Sequence, residues 1–304
     1  MTNSANYHIP VMLDKCIEAL NINPDGTYVD VTFGGGGHSR KIFEKLSDKG
    51  HLIAFDQDPD AKANAWEAPN FTFIASNFSF IKNHLRMLGV TQVDGILADL
   101  GVSSHQFDED VRGFSLRGNA PLDMRMNQEG EKDAFAVINE YEDSELIKIL
   151  RLYGEVNNAP RLVREIIKER SRQPIKTTGE LRSIAEKCAP RGKEHKYLAQ
   201  VFQAIRIEVN EEMDVLEKLL NACADVLKPG GRLVVMSYHS LEDRMVKNFL
   251  KRGSISGEIE KDFFGNVLKP FTEVNRKPIT ADEIELEQNN RARSAKLRIA
   301  ERNE

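Results

Sequence analysis

The sequence predicts an α/β protein with a doubly wound, mostly parallel sheet into which an all-helical domain is inserted. Short apolar strands alternate with amphipathic helices four times in the first hundred residues, the pattern of a parallel sheet covered on both faces. The next such strand begins only at Arg232, although a crossover with its helix needs about 30 residues. The residues between have apolar side chains at helical spacing, so we expect an insert between strands four and five.

Local signals place the elements of the first half. Strands are predicted over residues 28–33, 52–55, 71–75 and 95–98. Helices are predicted from residue 39 to the terminating glycine at position 50, after the Asp58-Pro59 cap, and over 79–89. The fourth strand then leads into the insert.

The insert and the second half follow from the same signals. Helices are predicted in the insert over residues 144–153, 160–170, 177–188 and 197–209. After a further helix and a Leu-Lys-Pro-Gly-Gly turn, we expect a strand over 232–238, a helix over 240–252 and a loop over 253–265. Final strands are predicted over 269–274 and 296–300, the second as an antiparallel edge. The predicted domains are 1–112 with 212–304 for the sheet, and 113–211 for the helical insert.

The composition is that of a folded protein without a membrane span. Of the 304 residues, 40% are hydrophobic and 29% charged, which is enough apolar surface to exclude general disorder. No run approaches the roughly 18 apolar residues of a membrane helix, and the first ten residues lack the features of a secretion signal, so we expect a cytoplasmic protein. The scattered cysteines and histidines predict neither disulfides nor a metal site: Cys16, Cys188, Cys223, His38, His105 and His239.

Four consecutive glycines, residues 34–37, join the first predicted strand to the first helix. Such a turn lets a ligand approach backbone N–H groups. Asp56 follows at the end of the neighbouring strand, where a carboxylate can accept hydrogen bonds from both hydroxyls of a ribose. An adenosine-containing ligand is therefore expected in a crevice that also includes Asp30, Phe78 and Asp99. Asp56 and Asp99 could instead cap turns, and Phe78 could instead pack in the core.

Two ligand classes fit this crevice. Gly34-x-Gly36-x-x-Ser39 approaches the dinucleotide pattern, which indicates a nicotinamide oxidoreductase. Asp30, four residues before Gly34, is instead typical of S-adenosylmethionine enzymes, in which an acid can accept the ligand's ammonium group and would repel a pyrophosphate. The turn before Arg232 is also typical of methyltransferases. The residues favour S-adenosylmethionine, and the nicotinamide alternative stays open at this point.

Longer motifs occur in order along nearly the whole chain, and together they resemble the bacterial ribosomal RNA small subunit methyltransferase H family, also called MraW. They are HIPVML at 8–13, DVTFGGGGHS at 30–39, DGILADLGVSS at 94–104, RGFS at 112–115, PLDMRM at 121–126, FQAIRIEVN at 202–210, SYHSLEDR at 237–244 and RARSAKLR at 291–298. The resemblance implies a class I, Rossmann-like methyltransferase fold interrupted by a helical domain.

The resemblance also implies a reaction, a cofactor and a partner. The expected reaction is S-adenosylmethionine-dependent methylation of the exocyclic N4 of a decoding-region cytidine, cytidine 1402, in 16S rRNA. The partner is then 16S rRNA or the small ribosomal subunit, and a homodimer is one option for the oligomeric state. Carried over position by position, the cofactor contacts are Gly36, Gly37, His38, Asp56, Phe78, Asp99 and Gln106.

The expected chemistry is a direct displacement without a covalent enzyme intermediate, which requires alignment and an acceptor for the amine's protons. Many amino-methyltransferases use an (Asp/Asn/Ser)-Pro-Pro-aromatic motif after strand four. This chain has Asp-Leu-Gly-Val-Ser-Ser from Asp99, with neither proline nor aromatic residue. We therefore expect Asp99 to orient cofactor and amine, with Ser103, Ser104 and His239 near a flipped-out base.

The charge is unevenly distributed. The net charge is -5, yet residues 161–206 contain twelve Lys or Arg against five Glu, which leaves the remainder strongly acidic. A basic helical insert suits contacts with RNA phosphates, to which Arg117, Arg125 and the tail over 291–298 could add. A non-catalytic ribosome-binding protein and a DNA cytosine methyltransferase are the remaining alternatives.

Overall fold

The computed structural model describes residues 10–304, with the backbone alone at positions 104, 108 and 110. The chain divides into two compact units. The first unit runs to Gly101 and resumes at Met213, and the second unit is Val102–Glu212. The first division falls eleven residues before the predicted boundary at 112, because Val102 already packs against the apolar core of the second unit.

The first unit is built on a seven-stranded sheet. Its strands are β1 (Thr27–Asp30), β2 (His51–Asp56), β3 (Phe71–Ala75), β4 (Val93–Asp99), β5 (Leu227–Ser237), β6 (Phe271–Glu273) and β7 (Lys296–Arg302). They lie in the order β3-β2-β1-β4-β5-β7-β6, and the first five are parallel. The doubly wound, mostly parallel sheet is confirmed.

The position predicted for the last strand is wrong. β7 is antiparallel, as expected, but it lies between β5 and β6 and is not an edge strand. The edge is β6, a strand of only three residues that pairs with β7 through Phe271, whose side chain is fully buried. Burial of that ring against Phe249 anchors the short strand in place.

Twelve α-helices accompany the strands in the described residues. They are α1 (Leu13–Ala19), α2 (Gly37–Phe43), α3 (Ile81–Met87), α4 (Ser104–Asp108), α5 (Ala134–Glu140), α6 (Asp143–Leu152), α7 (Ala159–Arg170), α8 (Thr178–Glu186), α9 (Glu194–Asn210), α10 (Glu212–Val226), α11 (Ser240–Arg252) and α12 (Glu283–Gln288). Short 3-10 helices span Pro59–Asn64, Phe78–Phe80, Asp110–Arg112 and Asn290–Ser294. None of these helices is both long and apolar enough to cross a bilayer.

The strands bury alternate side chains in two apolar layers, one on each face of the sheet. Val29 and Ile53 contribute to a layer that includes Leu219 of α10. Their neighbours Tyr28 and Leu52 contribute to the opposite layer. Because successive side chains of a strand point to opposite faces, both faces of these strands are apolar.

Several elements differ from their predicted bounds. The helix expected after Asp58 is a six-residue 3-10 helix, in which the Asp58 carboxylate accepts a hydrogen bond from the Asp60 N–H. β5 takes in the predicted turn, and a shift of register between Val93 and Gly95 accommodates its extra residues. The helices α4 and α5, of five and seven residues, were not predicted because segments this short show little periodicity.

The second unit has its own apolar core. The buried faces of α5 to α9 meet there through side chains such as Ile138, Leu146, Leu162, Leu181 and Val201. Each of these side chains is at most 1% exposed. The predicted capping box of α8 is present, with Thr177 and Glu180 each accepting from the other's backbone N–H.

Candidate active site

Three aspartates end three adjacent parallel strands of the first unit. Asp30 ends β1, Asp56 ends β2 and Asp99 ends β4. β1 lies between the other two strands. Because the carboxyl ends of parallel strands meet at one edge of the sheet, the structure brings together the carboxylates that the sequence assigned to one crevice.

The glycine turn between β1 and α2 requires glycine for close packing. Gly36 has a φ of 77°, and a β-carbon there would lie 2.9 Å from the Phe33 ring. At Gly37 a β-carbon would lie 2.2 Å from Pro10 Cγ. Among the described residues, none has an atom within 4 Å of the point where a Gly34 side chain would start. The turn is therefore tightly packed at Gly36 and Gly37 and borders open space at Gly34.

Asp56 is joined to this turn by a hydrogen bond. Its Oδ2 accepts from the Gly34 N–H at 2.7 Å, and its Oδ1 accepts from the Asp58 N–H at 2.8 Å. Burial raises the pKa of this carboxyl to about 6, although both N–H donors act in the opposite direction. The residue is half-buried, so its remaining lone pairs can accept from ligand hydroxyls.

Asp30 is buried in a different way, at 1% exposure. One carboxylate oxygen accepts from Ser39 Oγ at 2.6 Å and the other from the Thr32 N–H at 3.1 Å. Burial raises its pKa, and these hydrogen bonds oppose the shift. Asp30 therefore connects the end of β1 to α2, and its direct contact with a ligand ammonium stays a prediction.

Asp99 is held by three neighbours. Its backbone N–H donates to Thr32 Oγ1 at 2.7 Å, and its Oδ1 accepts from the Tyr238 hydroxyl at 2.7 Å. Its Oδ2 lies 3.8 Å from Nδ1 of His38. Burial raises the pKa of Asp99 to about 6, while the His38 and Tyr238 contacts lower it. With 22% of the side chain exposed, the carboxylate is oriented by the protein and still accessible to a ligand.

His38 lies in the first turn of α2 and is 5% exposed. Its Nε2 is 3.2 Å from the Val11 carbonyl oxygen, which can only accept a hydrogen bond. Nε2 therefore carries a hydrogen and donates it to Val11, while Nδ1 faces the Asp99 carboxylate. His38 thus helps to define the environment of the Asp99 carboxylate.

Phe78 lies in the 3-10 helix after β3 and is half-buried. Its ring packs against the apolar layer that contains Ile53 and Ile81. Asn77 fixes this helix, since its Oδ1 accepts from the Ser79 N–H at 2.8 Å and its Nδ2 donates to Gln57 at 2.7 Å. The structure gives Phe78 a packing role, and its contact with an adenine stays a prediction.

The whole chain matches known proteins. Residues 5–303 match the model of the MraW methylase family. The chain belongs to this family. It is 55% identical to the Flavobacterium johnsoniae "Ribosomal RNA small subunit methyltransferase H" over 99% of this chain and 100% of that protein. It is 57% identical to the Cytophaga hutchinsonii protein of the same name over 97% and 99%, and 54% identical to that of Bacteroides thetaiotaomicron over 97% of each chain.

Membership of the MraW methylase family makes the chain an S-adenosylmethionine-dependent methyltransferase. The predicted family, the class I methyltransferase fold and the cofactor are confirmed, and the nicotinamide alternative is wrong. The site fits this cofactor chemically, because the Gly34 position, which no described side chain fills, adjoins a partly exposed carboxylate at Asp56.

Several other predicted site residues of this methyltransferase make hydrogen bonds that cap the N-terminus of a helix. In the first unit, His239 caps α11 in a reciprocal capping box with Glu242. In the second unit, Ser103 and Gln106 form the capping box of α4, and Gln106 is 4% exposed. The Ser104 side chain, like residues 8 and 9 of the first motif, lies outside the described part of the chain. Roles of these residues toward cofactor or RNA stay predictions.

The predicted RNA-contacting arginines differ in their surroundings. Arg117 is exposed. The Arg125 guanidinium donates to both carboxylate oxygens of Asp123, at 2.9 and 2.7 Å, and to the Gly130 carbonyl at 2.7 Å. In the tail, Arg298 is 4% exposed and donates to Asp243 at 2.7 Å. Arg125 and Arg298 therefore stabilise the fold locally.

Two hydrogen-bond partners of Asp99 were missed in the sequence. Thr32 Oγ1 accepts from the Asp99 backbone N–H, and the Tyr238 hydroxyl donates to the Asp99 carboxylate. A usable signal did exist, since Tyr238 directly follows the strand that neighbours the one ending at Asp99. No spacing rule, however, says that the phenol of Tyr238 reaches back to β4.

Proposed function

We propose that this methyltransferase acts on small-subunit ribosomal RNA, and within it on the exocyclic N4 of a decoding-region cytidine, cytidine 1402. The observation that supports this proposal is identity of 54–57% over almost the full length to proteins named ribosomal RNA small subunit methyltransferase H. A cytoplasmic location follows from a ribosomal substrate.

The proposed cofactor site lies at the carboxyl ends of β1, β2 and β4. We assign the ribose hydroxyls to Asp56, whose carboxylate is partly exposed at the strand end. The glycine turn lets the ligand approach the backbone. The full proposed set remains Gly36, Gly37, His38, Asp56, Phe78, Asp99 and Gln106, of which all but Gln106 belong to the first unit.

Asp99 is the proposed proton acceptor. When bound, S-adenosylmethionine supplies a methyl group on a positively charged sulfur. In this transfer the lone pair of N4 would form the new carbon–nitrogen bond while the carbon–sulfur bond would break, with the electron pair of the broken bond left on sulfur. The amine loses one proton, which the Asp99 carboxylate accepts. A pKa of about 6 leaves this carboxylate mostly ionised at neutral pH and still basic enough to take a proton.

The second unit is the proposed RNA-binding domain. Nine of its twelve Lys or Arg residues between 161 and 206 are exposed. The other three have partners within the unit: Arg170 and Arg182 donate to backbone carbonyls, and Arg206 pairs with Glu212. The basic face is therefore smaller than the composition suggested.

Six of the exposed cations form what we call the basic tip: Arg161, Arg164, Lys187, Arg191, Lys193 and Lys196. Four of them lie around the segment that joins α8 to α9. Arg161 of α7 donates to the Lys187 carbonyl at 3.0 Å, which brings α7 to the same end of the unit. Glu186 and Glu194 end the two helices on either side of this segment and are the acidic residues between positions 186 and 196, so cations predominate there. Exposed cations at this density suit phosphate contacts.

The decisive experiment is methyl transfer to small ribosomal subunits that lack the modification, followed by mass mapping of the labelled nucleotide. We expect one labelled cytidine in the decoding region, methylated on N4. Label on another nucleotide would contradict the assigned target, and label on DNA cytosine would favour the DNA alternative. Binding to the subunit without any transfer would favour a non-catalytic ribosome-binding role.

RNA binding by the basic tip has a separate test. The logarithm of the binding constant for small-subunit RNA should fall linearly with the logarithm of salt concentration, by about 0.7 to 0.9 per phosphate contact. A slope near zero would remove phosphate contacts from the proposal. Sedimentation at the same concentrations would show whether a homodimer forms.

A further inference from the structure

We propose that Tyr238 is a positioning residue for methyl transfer, whose phenol holds the Asp99 carboxylate in the orientation from which it accepts the amine proton. This inference rests on the role proposed above for Asp99. Its basis is the hydrogen bond from the Tyr238 hydroxyl to Asp99 Oδ1, 2.7 Å long, between residues at the ends of adjacent strands.

Two rigid elements set the position of the ring. Tyr238 directly follows β5, and its backbone N–H donates at 2.8 Å to Glu242 Oε2 in the first turn of α11. Glu242 is 2% exposed and is itself part of the capping box of that helix. Opposite the ring, a β-carbon at Gly101 would lie 3.4 Å from Tyr238 Cδ2, so the chain after β4 passes close to the ring. The phenol therefore has little freedom to leave Asp99.

The Tyr238 hydroxyl can only donate in this arrangement. Burial and the adjacent Asp99 raise the pKa of Tyr238 well above its usual value, so the phenol keeps its proton. Burial, and after it the charge of Asp99, also raise the pKa of the Cys16 thiol in α1. This thiol therefore stays neutral. Neither group can take the amine proton in place of Asp99.

Other charged groups also face Asp99. His38 lies 3.8 Å from Oδ2, and it lowers the pKa of Asp99, as does the phenol of Tyr238. The carboxylates of Asp30 and Glu242 raise that pKa. Removal of the phenol takes away one of the two groups that lower the pKa of Asp99 and leaves only His38. The pKa of Asp99 should therefore rise.

The two oxygens of Asp99 then have different roles. Oδ1 is engaged by Tyr238, while Oδ2 is beyond hydrogen-bond distance of His38. We assign the amine proton to Oδ2. As the proton moves from N4 to Oδ2, the electron pair of the N–H bond stays on nitrogen, and the neutral Asp99 later releases the proton to water.

The test is the pH dependence of the single-turnover rate of Tyr238→Phe on small ribosomal subunits at saturating S-adenosylmethionine. In the wild type the rate should fall in acid with a midpoint near 6, because Asp99 must be ionised. In the variant we expect the midpoint to rise by about one pH unit and the rate at pH 7 to fall about five- to ten-fold, of which reduced ionisation of Asp99 accounts for about two-fold and lost orientation of the carboxylate for the rest. The dissociation constant for S-adenosylmethionine, measured by calorimetry, should stay within about two-fold.

The matched control is Tyr141→Phe in the second unit. Tyr141 also donates its hydroxyl to a carboxylate, Glu208 Oε1, at 2.6 Å. Loss of that hydrogen bond should leave both the midpoint and the rate as in the wild type. An unmoved midpoint in Tyr238→Phe would overturn the inference, even if the variant were slower or less stable.

A second variant covers the case in which Tyr238→Phe fails to fold. Incorporation of 3-fluorotyrosine at position 238 makes the phenol a stronger donor, so the midpoint should move down, opposite to the effect of Phe. A midpoint that does not move down contradicts the inference. Asp99→Asn separates the two proposals: a wild-type rate there refutes the role of Asp99 itself. A slow Asp99→Asn with unmoved Tyr238 midpoints refutes only the role of Tyr238.

Discussion

The two units of the molecule place their charged groups in opposite environments. In the first unit, Asp30, Asp56 and Asp99 are withdrawn from water at one edge of the sheet, and burial raises the pKa of each. In the second unit, most cations of the basic segment are exposed on helix surfaces and connecting segments. A few partly buried carboxylates suit selective contacts with one small ligand, whereas many exposed cations suit attraction of a long polyanion. This contrast supports the proposed division, in which the first unit carries the methyl-transfer site and the second unit binds RNA.

Asp99→Asn should have the largest effect and tests the chemical half of this comparison. We expect methyl transfer to fall by at least about 100-fold, because the amine proton loses its acceptor while the shape of the side chain is kept. Single-turnover rates at pH 7.5 and calorimetry with S-adenosylmethionine would show the loss in rate without a comparable loss in cofactor binding.

Asp94→Asn is the matched control. Asp94 lies on the same strand at its opposite end, where it pairs with Lys228 at 2.8 Å and accepts from the Thr27 N–H at 2.7 Å. This variant should retain the wild-type rate. Equal losses in both variants would mean that the strand, and not the Asp99 carboxylate, is responsible.

Neutralising the basic tip tests the RNA-binding half. Replacement of its six cations by Gln should weaken binding to small-subunit RNA by about 10- to 100-fold at physiological salt and flatten the salt dependence. S-Adenosylmethionine binding should not change. The control replaces six exposed cations of the first unit by Gln: Lys45, Lys49, Arg86, Lys218, Lys247 and Lys251. Equal weakening of RNA binding by both sets would contradict a localised RNA site.

Two glycines with nearly the same φ allow a direct comparison of the units. Gly36 has a φ of 77° and Gly192 a φ of 78°. A β-carbon at Gly36 meets the Phe33 ring, whereas at Gly192 no atom of a described residue lies within 4 Å. Gly36→Ala should lower the free energy of unfolding by about 2 to 3 kcal/mol and weaken cofactor binding, and Gly192→Ala by about 1 kcal/mol at most. Urea titrations and calorimetry would measure both, and equal costs would show that only the φ value matters.

The smallest effect concerns stability and pH. Asp99 has a pKa of about 6 in the folded chain against 3.8 for the unfolded side chain, so between these values the folded state binds more protons. The contribution of Asp99 to the free energy of unfolding should therefore fall as pH rises from 4 to 6. Asp99→Asn removes this contribution and should be more stable than the wild type at pH 7 by on the order of 2 kcal/mol, with no difference near pH 4. Urea unfolding of both proteins at both pH values measures this difference. A wild type that is as stable as Asp99→Asn at pH 7, or more stable, contradicts the expected sign.

Much of the sheet could be predicted because its signals are local. The β3 strand and the α11 helix begin and end where the sequence placed them, at residues 71–75 and 240–252. Apolar periodicity and terminal residues decide such elements within a few positions. The order of the last two strands could not be predicted in this way, because pairing depends on which edge is free when residues distant in sequence meet.

For the site, the sequence by itself determined which strand ends have carboxylates and where the glycine turn lies, since both depend on residue type and on the alternation of strands and helices. Only the tertiary structure decided what each carboxylate contacts. It directs Asp30 to Ser39, leaves Asp56 partly open, and places the Tyr238 phenol on Asp99. The physical reason is that a side-chain hydrogen bond between strands separated by more than a hundred residues depends on sheet order, register and burial. None of these is written in the local pattern of either segment.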